Sequence, residues 1–139
     1  MSEQAAKLSG PCQKCGDPCR GWAVQLTRNG RLRWEIEWAC DACGISHHGA
    51  WGAAPDEVRG SILAQHGPYC LRLVDSADRA GVILKAFRSA FDLSIREAHA
   101  SAHKLKQCGY EGTYMEAQLL SDLLRLGGIS CEVAPGACQ

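Results

Sequence analysis

The stretch PCQKCGDPCRGWAVQLTRNGRLRWEIEWACDACG, residues 11–44, decides the architecture of the N-terminal third of the chain. It opens on Cys12-Gln-Lys-Cys15 and closes on Cys40-Asp-Ala-Cys43, with the 24 residues from Gly16 to Ala39 between the pairs. Two C-x-x-C pairs supply four thiolates, a soft donor set that suits one structural zinc ion in a closed tetrahedral shell. In a knuckle of this spacing backbone amides point at the sulfurs, and Gly16 and Gly44 give the chain freedom just after the second ligand of each pair.

The pattern resembles a zinc ribbon, whose two knuckles are joined by a β-hairpin. Trp22, Val24 and Leu26 alternate with Ala23, Gln25 and Thr27, and Leu32, Trp34, Ile36 and Trp38 alternate with Arg31, Arg33, Glu35 and Glu37. Both runs read as half-buried strands. A three-residue loop, Arg28-Asn29-Gly30, is expected, because it pairs Leu26 with Leu32, Val24 with Trp34 and Trp22 with Ile36. Cys19 is a fifth thiol that competes with Cys15 for the shell, and His47 and His48 follow Cys43 closely, as further ligands or as solvated loop residues.

Other uses of a C-x-x-C pair fit less well. A thioredoxin-like redox pair wants a βαβ unit beside it, and none follows here. Pro11-Cys12-Gln-Lys-Cys15 matches half of the zinc-deaminase signature, but the ten preceding residues contain no H-x-E to supply a third ligand and a general acid/base.

The chain of 139 residues carries 15 basic and 15 acidic side chains, so no global field recruits a polyanion or a membrane surface. No run approaches the roughly 18 apolar residues of a spanning helix, and the first residues hold no apolar signal-peptide core. The expectation is a soluble cytoplasmic protein with reduced thiols, in which the paired cysteines are metal ligands.

After Gly-, Ala- and Trp-rich residues 47–54, Pro55-Asp-Glu-Val58 opens a connecting helix that presents Val58, Ile62 and Leu63 to the protein and stops at Gly67-Pro68. Tyr69-Cys-Leu-Arg-Leu-Val74 reads as a strand, and Asp75 or Ser76 caps a helix to Phe91 with Ile83, Phe87, Ala90 and Phe91 on its buried stripe. Ser94-Ile-Arg-Glu97 and Thr113-Tyr-Met-Glu116 are capping boxes that start two further helices. The last helix, rich in leucine from Leu119 to Leu126, ends at Gly127-Gly128 before a strand Ile129-Ser-Cys-Glu-Val133. Cys70, Cys108 and Cys131 read as small hydrophobes beside apolar positions.

The fold class is therefore α+β. The expected units are a zinc ribbon with its hairpin (1–53), a connecting helix (54–68), a compact β-α-α-(β)-α-β module (69–134) and a tail (135–139). Leu84-Lys-Ala-Phe-Arg88, Asp92-Leu-Ser-Ile-Arg-Glu-Ala98, and Tyr110-Glu-Gly-Thr113 leading to Leu126-Gly-Gly-Ile-Ser-Cys-Glu-Val133 give the module a resemblance. It resembles the C-terminal domain of the bacterial ribosomal stalk protein, to which the fold of the Clp protease N-degron adaptor is related. The resemblance implies a non-catalytic domain that recruits partners through its first two helices, with Lys85, Arg88, Ile95 and Arg96 at the matching positions. The stalk family's N-terminal dimerisation domain and hinge are replaced here by the zinc hairpin, so a true stalk protein is excluded.

Independently of that likeness, Arg79, Lys85, Arg88, Arg96, Lys104 and Lys106 stand against only Asp92 and Glu97 over residues 79–106, a basic face that suits an acidic partner or RNA. Arg28, Arg31 and Arg33 crowd the hairpin tip, although residues 1–45 hold six bases against five acids. Cys108 with His99 or His103 is the one nucleophile and base pair available, and nothing in the sequence orients it, so no catalytic residue is expected. The expected function is a non-catalytic zinc-stabilised protein-binding module, an adaptor or an immunity-type inhibitor, with a ribosome- or RNA-associated protein as the alternative. No membrane and no small-molecule substrate is implied.

Overall fold

The computed structural model describes residues 3–74 and 79–139. Four strands form an antiparallel meander: β1 (Glu3–Pro11), β2 (Pro18–Arg28), β3 (Arg31–Cys40) and β4 (Gly44–Trp51), in that spatial order. Helix α1 (Asp56–His66) follows. The second half runs β5 (Tyr69–Leu73), α2 (Ala80–Phe91), α3 (Ile95–Cys108), β6 (Tyr110–Gly112), α4 (Tyr114–Leu126) and β7 (Cys131–Pro135). Its sheet has the order β6-β5-β7, antiparallel throughout. The protein is thus α+β, with the β-α-α-β-α-β element order expected of the second half.

The hairpin register differs from the expected one. Arg28 pairs with Arg31 across a two-residue turn, in which Asn29 and Gly30 both take positive φ, 54° and 72°. This is the mirror-image turn whose twist matches that of paired strands, and Asn-Gly is its preferred sequence. Leu26 consequently opposes Arg33, and Ile36 opposes Ala23. The three-residue loop was expected on the assumption that Trp22, Val24 and Leu26 face the core, and of these three only Leu26 is buried. The buried alternate positions of β2 are instead Cys19, Gly21, Ala23 and Gln25, and Gly21 has no room for a side chain: a Cβ there would lie 2.2 Å from the Glu37 carbonyl oxygen and 3.1 Å from the Trp38 ring. Trp22 turns to the outer face, 46% exposed, with the Lys7 ammonium 5.8 Å from its ring centre.

The first part is also more than a hairpin, since β1 and β4 add a strand on each side. β1 is an edge strand, and its free backbone groups are met by α1. Lys7 N–H donates to Gln65 Oε1 at 3.0 Å, Gln65 Nε2 donates to the Lys7 carbonyl at 2.7 Å, and His66 Nε2 lies 2.6 Å from the Ala5 carbonyl. The Gln65 amide stands in for a neighbouring strand, which blunts an edge that would otherwise invite pairing. On its apolar side α1 packs Val58 and Ile62 on Ala6, Ala23 and Ile36. Pro55 is its N-cap, Asp56 and Glu57 fill the first turn, and Gly67 ends it at φ 79°.

In the second half both capping boxes form: Ser94 and Glu97, and Thr113 and Glu116, exchange side-chain and backbone hydrogen bonds. Ile83, Phe87, Ala90 and Phe91 are buried as expected, with Leu71, Ala98, Leu105, Met115, Leu120 and Leu124. The proposed caps Asp75 and Ser76 lie outside the described residues; Ala80 is the first residue of α2. Leu126 projects to solvent beyond the buried face of α4.

Two features tie the halves together. Leu32 of β3 is fully buried, and it belongs to the core of the second half rather than to the one beneath α1. Beside it Glu116, 1% exposed, accepts from the Thr113 amide, the Tyr110 hydroxyl, Arg59 Nε and Gln25 Nε2, all at 3.0–3.1 Å at their closest. Gln25 in turn accepts from the Thr113 hydroxyl. A buried carboxylate is tolerated when its lone pairs are met in this way. Burial, and then the adjacent Glu116 charge, push the Tyr110 phenol well above its ordinary range.

The expectation of reduced thiols is corrected at one pair. Cys70 of β5 is disulfide-bonded to Cys138, 68 residues away, so it is a cross-link and not a packed hydrophobe. The tail it holds is also bonded through Gly136 N–H to the Pro68 carbonyl, Cys138 N–H to Glu111 Oε1 and Arg72 to the Gln139 carbonyl. Cys131 is buried and bonds Ser121, whereas Cys108 is exposed, contrary to its reading as a buried hydrophobe. Among the described residues no helix is long and apolar enough to cross a membrane.

Candidate metal centre

The two C-x-x-C pairs are the turns at one end of the meander. Cys12 and Cys15 lie between β1 and β2, and Cys40 and Cys43 span the passage from β3 to β4, so strand pairing alone brings the turns side by side. The four sulfurs lie within 4.8 Å of one another, with Cys15 to Cys40 at 3.5 Å and Cys12 to Cys43 at 3.9 Å. A tetrahedral zinc with Zn–S bonds of about 2.3 Å places its sulfurs about 3.8 Å apart, so the donor set fits one such ion.

Each knuckle is built as its spacing requires. Gly16 and Gly44 take φ of 79° and 91°, a region costly for any other residue, and Gly16 N–H closes the first turn on the Cys12 carbonyl at 2.8 Å. The amides of Cys15 and then Lys14 point at the Cys12 sulfur and lower its pKa to about 6, and those of Cys43 and Ala42 lower that of Cys40. Backbone dipoles therefore favour the thiolate at Cys12 and Cys40; at Cys15 the Asp17 amide also pulls downward, but the neighbouring Cys40 sulfur and burial prevail and push the thiol up to about 12, and Cys43 is raised as well. Cys40 is buried, Cys12 half-buried, and Cys15 and Cys43 face solvent.

The competing ligands are not members of this cluster, although Cys19 and His48 line the hollow beside it. His47 and His48 are on strand β4 and not in a loop; His47 Nε2 is 3.0 Å from Glu35 Oε1 across the sheet. Cys19 is buried inside β2, outside the four-sulfur cluster but lining the same hollow of about 630 Å³.

The expected partner-binding residues fall in two places. Lys85 and Arg88 line an open recess of about 390 Å³ with Leu84 and Leu93, and Arg88 Nε reaches the Leu93 carbonyl at 3.5 Å. Ile95, 56% exposed, and Arg96 open the next helix. Arg31 and Arg33 instead hold their guanidinium groups 5.1 and 5.2 Å from the ring centre of Trp51, and Arg28 is at the end of β2. The Cys108 thiol is spent on its own helix, against the Lys104 carbonyl at 3.4 Å. Sequence reasoning missed Gln25, Arg59 and Cys138: a glutamine in a strand and an arginine in a helix carry no pattern that announces a buried junction, and one cysteine near the end names no mate.

No protein-family model matches the chain, and neither a similar curated protein nor a similar solved structure is found.

Proposed function

We propose that the protein is a non-catalytic, zinc-stabilised binding module that acts as an adaptor or an immunity-type inhibitor of a partner protein. The observation that carries this reading is the closed donor set. Four thiolates complete a tetrahedral shell and leave no position for a reacting water, which is the signature of a structural rather than a catalytic zinc. The metal then serves to lock two turns of a small sheet whose own core is Ala6, Ala23, Ile36, Val58 and Ile62 with the partly buried Leu8, Trp34, Trp38 and Ala54 packed on them.

The partner surface in this proposal is the start of the second half, read as a stalk-like module on its element order and the motifs above. Apolar Leu84, Leu93 and Ile95 lie among Lys85, Arg88 and Arg96, a mixture suited to an acidic protein segment with apolar anchors. Four clustered thiols without a disulfide among them support a cytoplasmic location; the Cys70–Cys138 bond speaks against a wholly reduced chain. Affinity capture of the tagged protein from its own lysate, with and without nuclease, tests the reading: one nuclease-resistant protein whose capture fails with Lys85→Glu/Arg88→Glu supports it.

A second reading rests on Trp51, exposed on β4 between the guanidinium groups of Arg31 and Arg33. An indole flanked by arginines suits RNA, and this reading predicts nuclease-sensitive capture of ribosomal proteins and a steep fall of affinity with salt.

A further inference from the structure

Cys19 has no place in the four-sulfur set, yet the fold delivers it to that set. Its backbone partner on β1 is Gly10, which adds no bulk beside it. On the other side the pairing of β2 with β3 ends at Arg20 and Ala39, and Cys19 and Cys40, both buried, are the next residue on each strand, where continuing the same register would set them opposite each other. All five thiols but Cys15 line one hollow, floored by Ile36 and Trp38 and wide enough for a small oxidant to enter.

Directly opposed strand residues have Cβ atoms about 4.5–5.5 Å apart, and a disulfide needs about 3.5–4.5 Å, so a small closing movement joins such a pair. A cysteine that only packed the sheet would not need to stand opposite a metal ligand. We propose that Cys19 is a resolving thiol for the metal centre, one that closes a disulfide to Cys40 when a peroxide oxidises that ligand, and so releases the metal.

The chemistry balances without further reagents. The Cys40 thiolate attacks the peroxide; an S–O bond forms, the O–O bond breaks and hydroxide leaves, giving the sulfenic acid. The Cys19 sulfur then attacks the sulfenic sulfur; the S–S bond forms, the S–O bond breaks, and the departing hydroxide takes the Cys19 proton as water. One thiolate, one thiol and one hydrogen peroxide become one disulfide, one water and one hydroxide, and the hydroxide becomes the second water on taking up the proton that Cys40 gave to solvent. The shell is left with Cys12, Cys15 and Cys43, and a thiol reductant restores the fourth ligand. The inference rests on the metal centre and not on the adaptor reading.

The test uses the full chain loaded with one equivalent of zinc and treated with hydrogen peroxide, with release followed by a chromophoric chelator and the products by peptide mapping. The expected result is zinc release that a dithiol reductant reverses, with a Cys19–Cys40 cross-link in the unreduced digest. Cys19→Ser and Cys19→Ala should bind zinc in the same ratio, but reductant should recover about ten-fold less of the released metal site, because an unresolved sulfenic acid oxidises further. A digest in which the linked pairs are Cys12–Cys15 and Cys40–Cys43 would overturn the proposal, and so would equal recovery in the variants. Loss of stoichiometric zinc binding in both variants before oxidation would also overturn it, by making Cys19 a ligand. Failure of the wild-type chain to take up zinc at all would instead remove the metal centre itself.

Discussion

Glu116 of α4 accepts a hydrogen bond at 3.1 Å from Gln25 of β2, a residue 91 positions earlier, and both side chains are buried. The contact joins the metal-bearing sheet to the helical half at a point where four donors converge on one carboxylate. Replacing Glu116 by Ala would strand Gln25, Tyr110 and Arg59 without their acceptor. Breaking a buried pair costs about 3–5 kcal/mol; Arg59 keeps a third of its side chain in water, so about 2–4 kcal/mol is expected from urea unfolding. A loss under about 1 kcal/mol would mean that the junction is incidental.

Leu32→Ala tests the coupling from the apolar side. A fully buried leucine costs about 2–5 kcal/mol on truncation, and here the loss should register in the tyrosine signals of the second half, where Tyr69, Tyr110 and Tyr114 all lie. Unchanged tyrosine unfolding, with only the tryptophans of the first part affected, would show that the halves unfold independently.

The capping box of α3 makes a pH prediction. The Ser94 amide, and then its hydroxyl environment, hold the Glu97 carboxyl below its usual value of 4.5. A depressed acid contributes stability that is present above the unfolded value and lost as pH falls through the folded one. A carboxyl-resolved NMR titration should therefore find Glu97 titrating below 4.5. Ser94→Ala removes the hydroxyl but keeps the larger contribution of the backbone amide at that position, so the midpoint should move only part of the way back up; a midpoint at or above 4.5 in the unsubstituted chain would remove the box as its cause.

The Cys70–Cys138 bond predicts that alkylation without reductant leaves both residues unmodified and that Cys138→Ser frees the tail. Closing a loop of this length stabilises by about 2–4 kcal/mol, so the variant should unfold at correspondingly lower denaturant. Full alkylation of Cys70 in the unreduced protein would contradict the pairing.

What the sequence made legible was whatever had a short-range cause. The C-x-x-C spacing, the glycines behind it and the two capping boxes are local devices, and each stands in the structure where its residues put it. The strands β1 and β4 escaped notice because neither alternates apolar with polar residues in the sequence, although β1 buries Gln4 and Ala6 on one face. β1 reads Gln-Ala-Ala-Lys and relies on Gln65 and His66 for its edge, and β4 is exposed along nearly its whole length, so no apolar face marks it. The hairpin register failed for a subtler reason. Hydrophobic alternation in β2 is real, but the two-residue Asn-Gly turn sets Gly21, Ala23 and Gln25 opposite Trp38, Ile36 and Trp34, and only a glycine fits at position 21 against the Glu37 carbonyl and the Trp38 ring. The tie between the halves depends on Leu32, Gln25 and Arg59, whose roles exist only once the tertiary contacts do.

The most direct test of the metal centre is cobalt substitution of the full chain, read by absorption spectroscopy alongside metal stoichiometry. One ion per chain, with the charge-transfer bands of four thiolates in a tetrahedral field and loss of those bands in Cys40→Ser, is the predicted result. A spectrum with fewer sulfur ligands and a bound water, or no uptake of metal at all, would contradict the account.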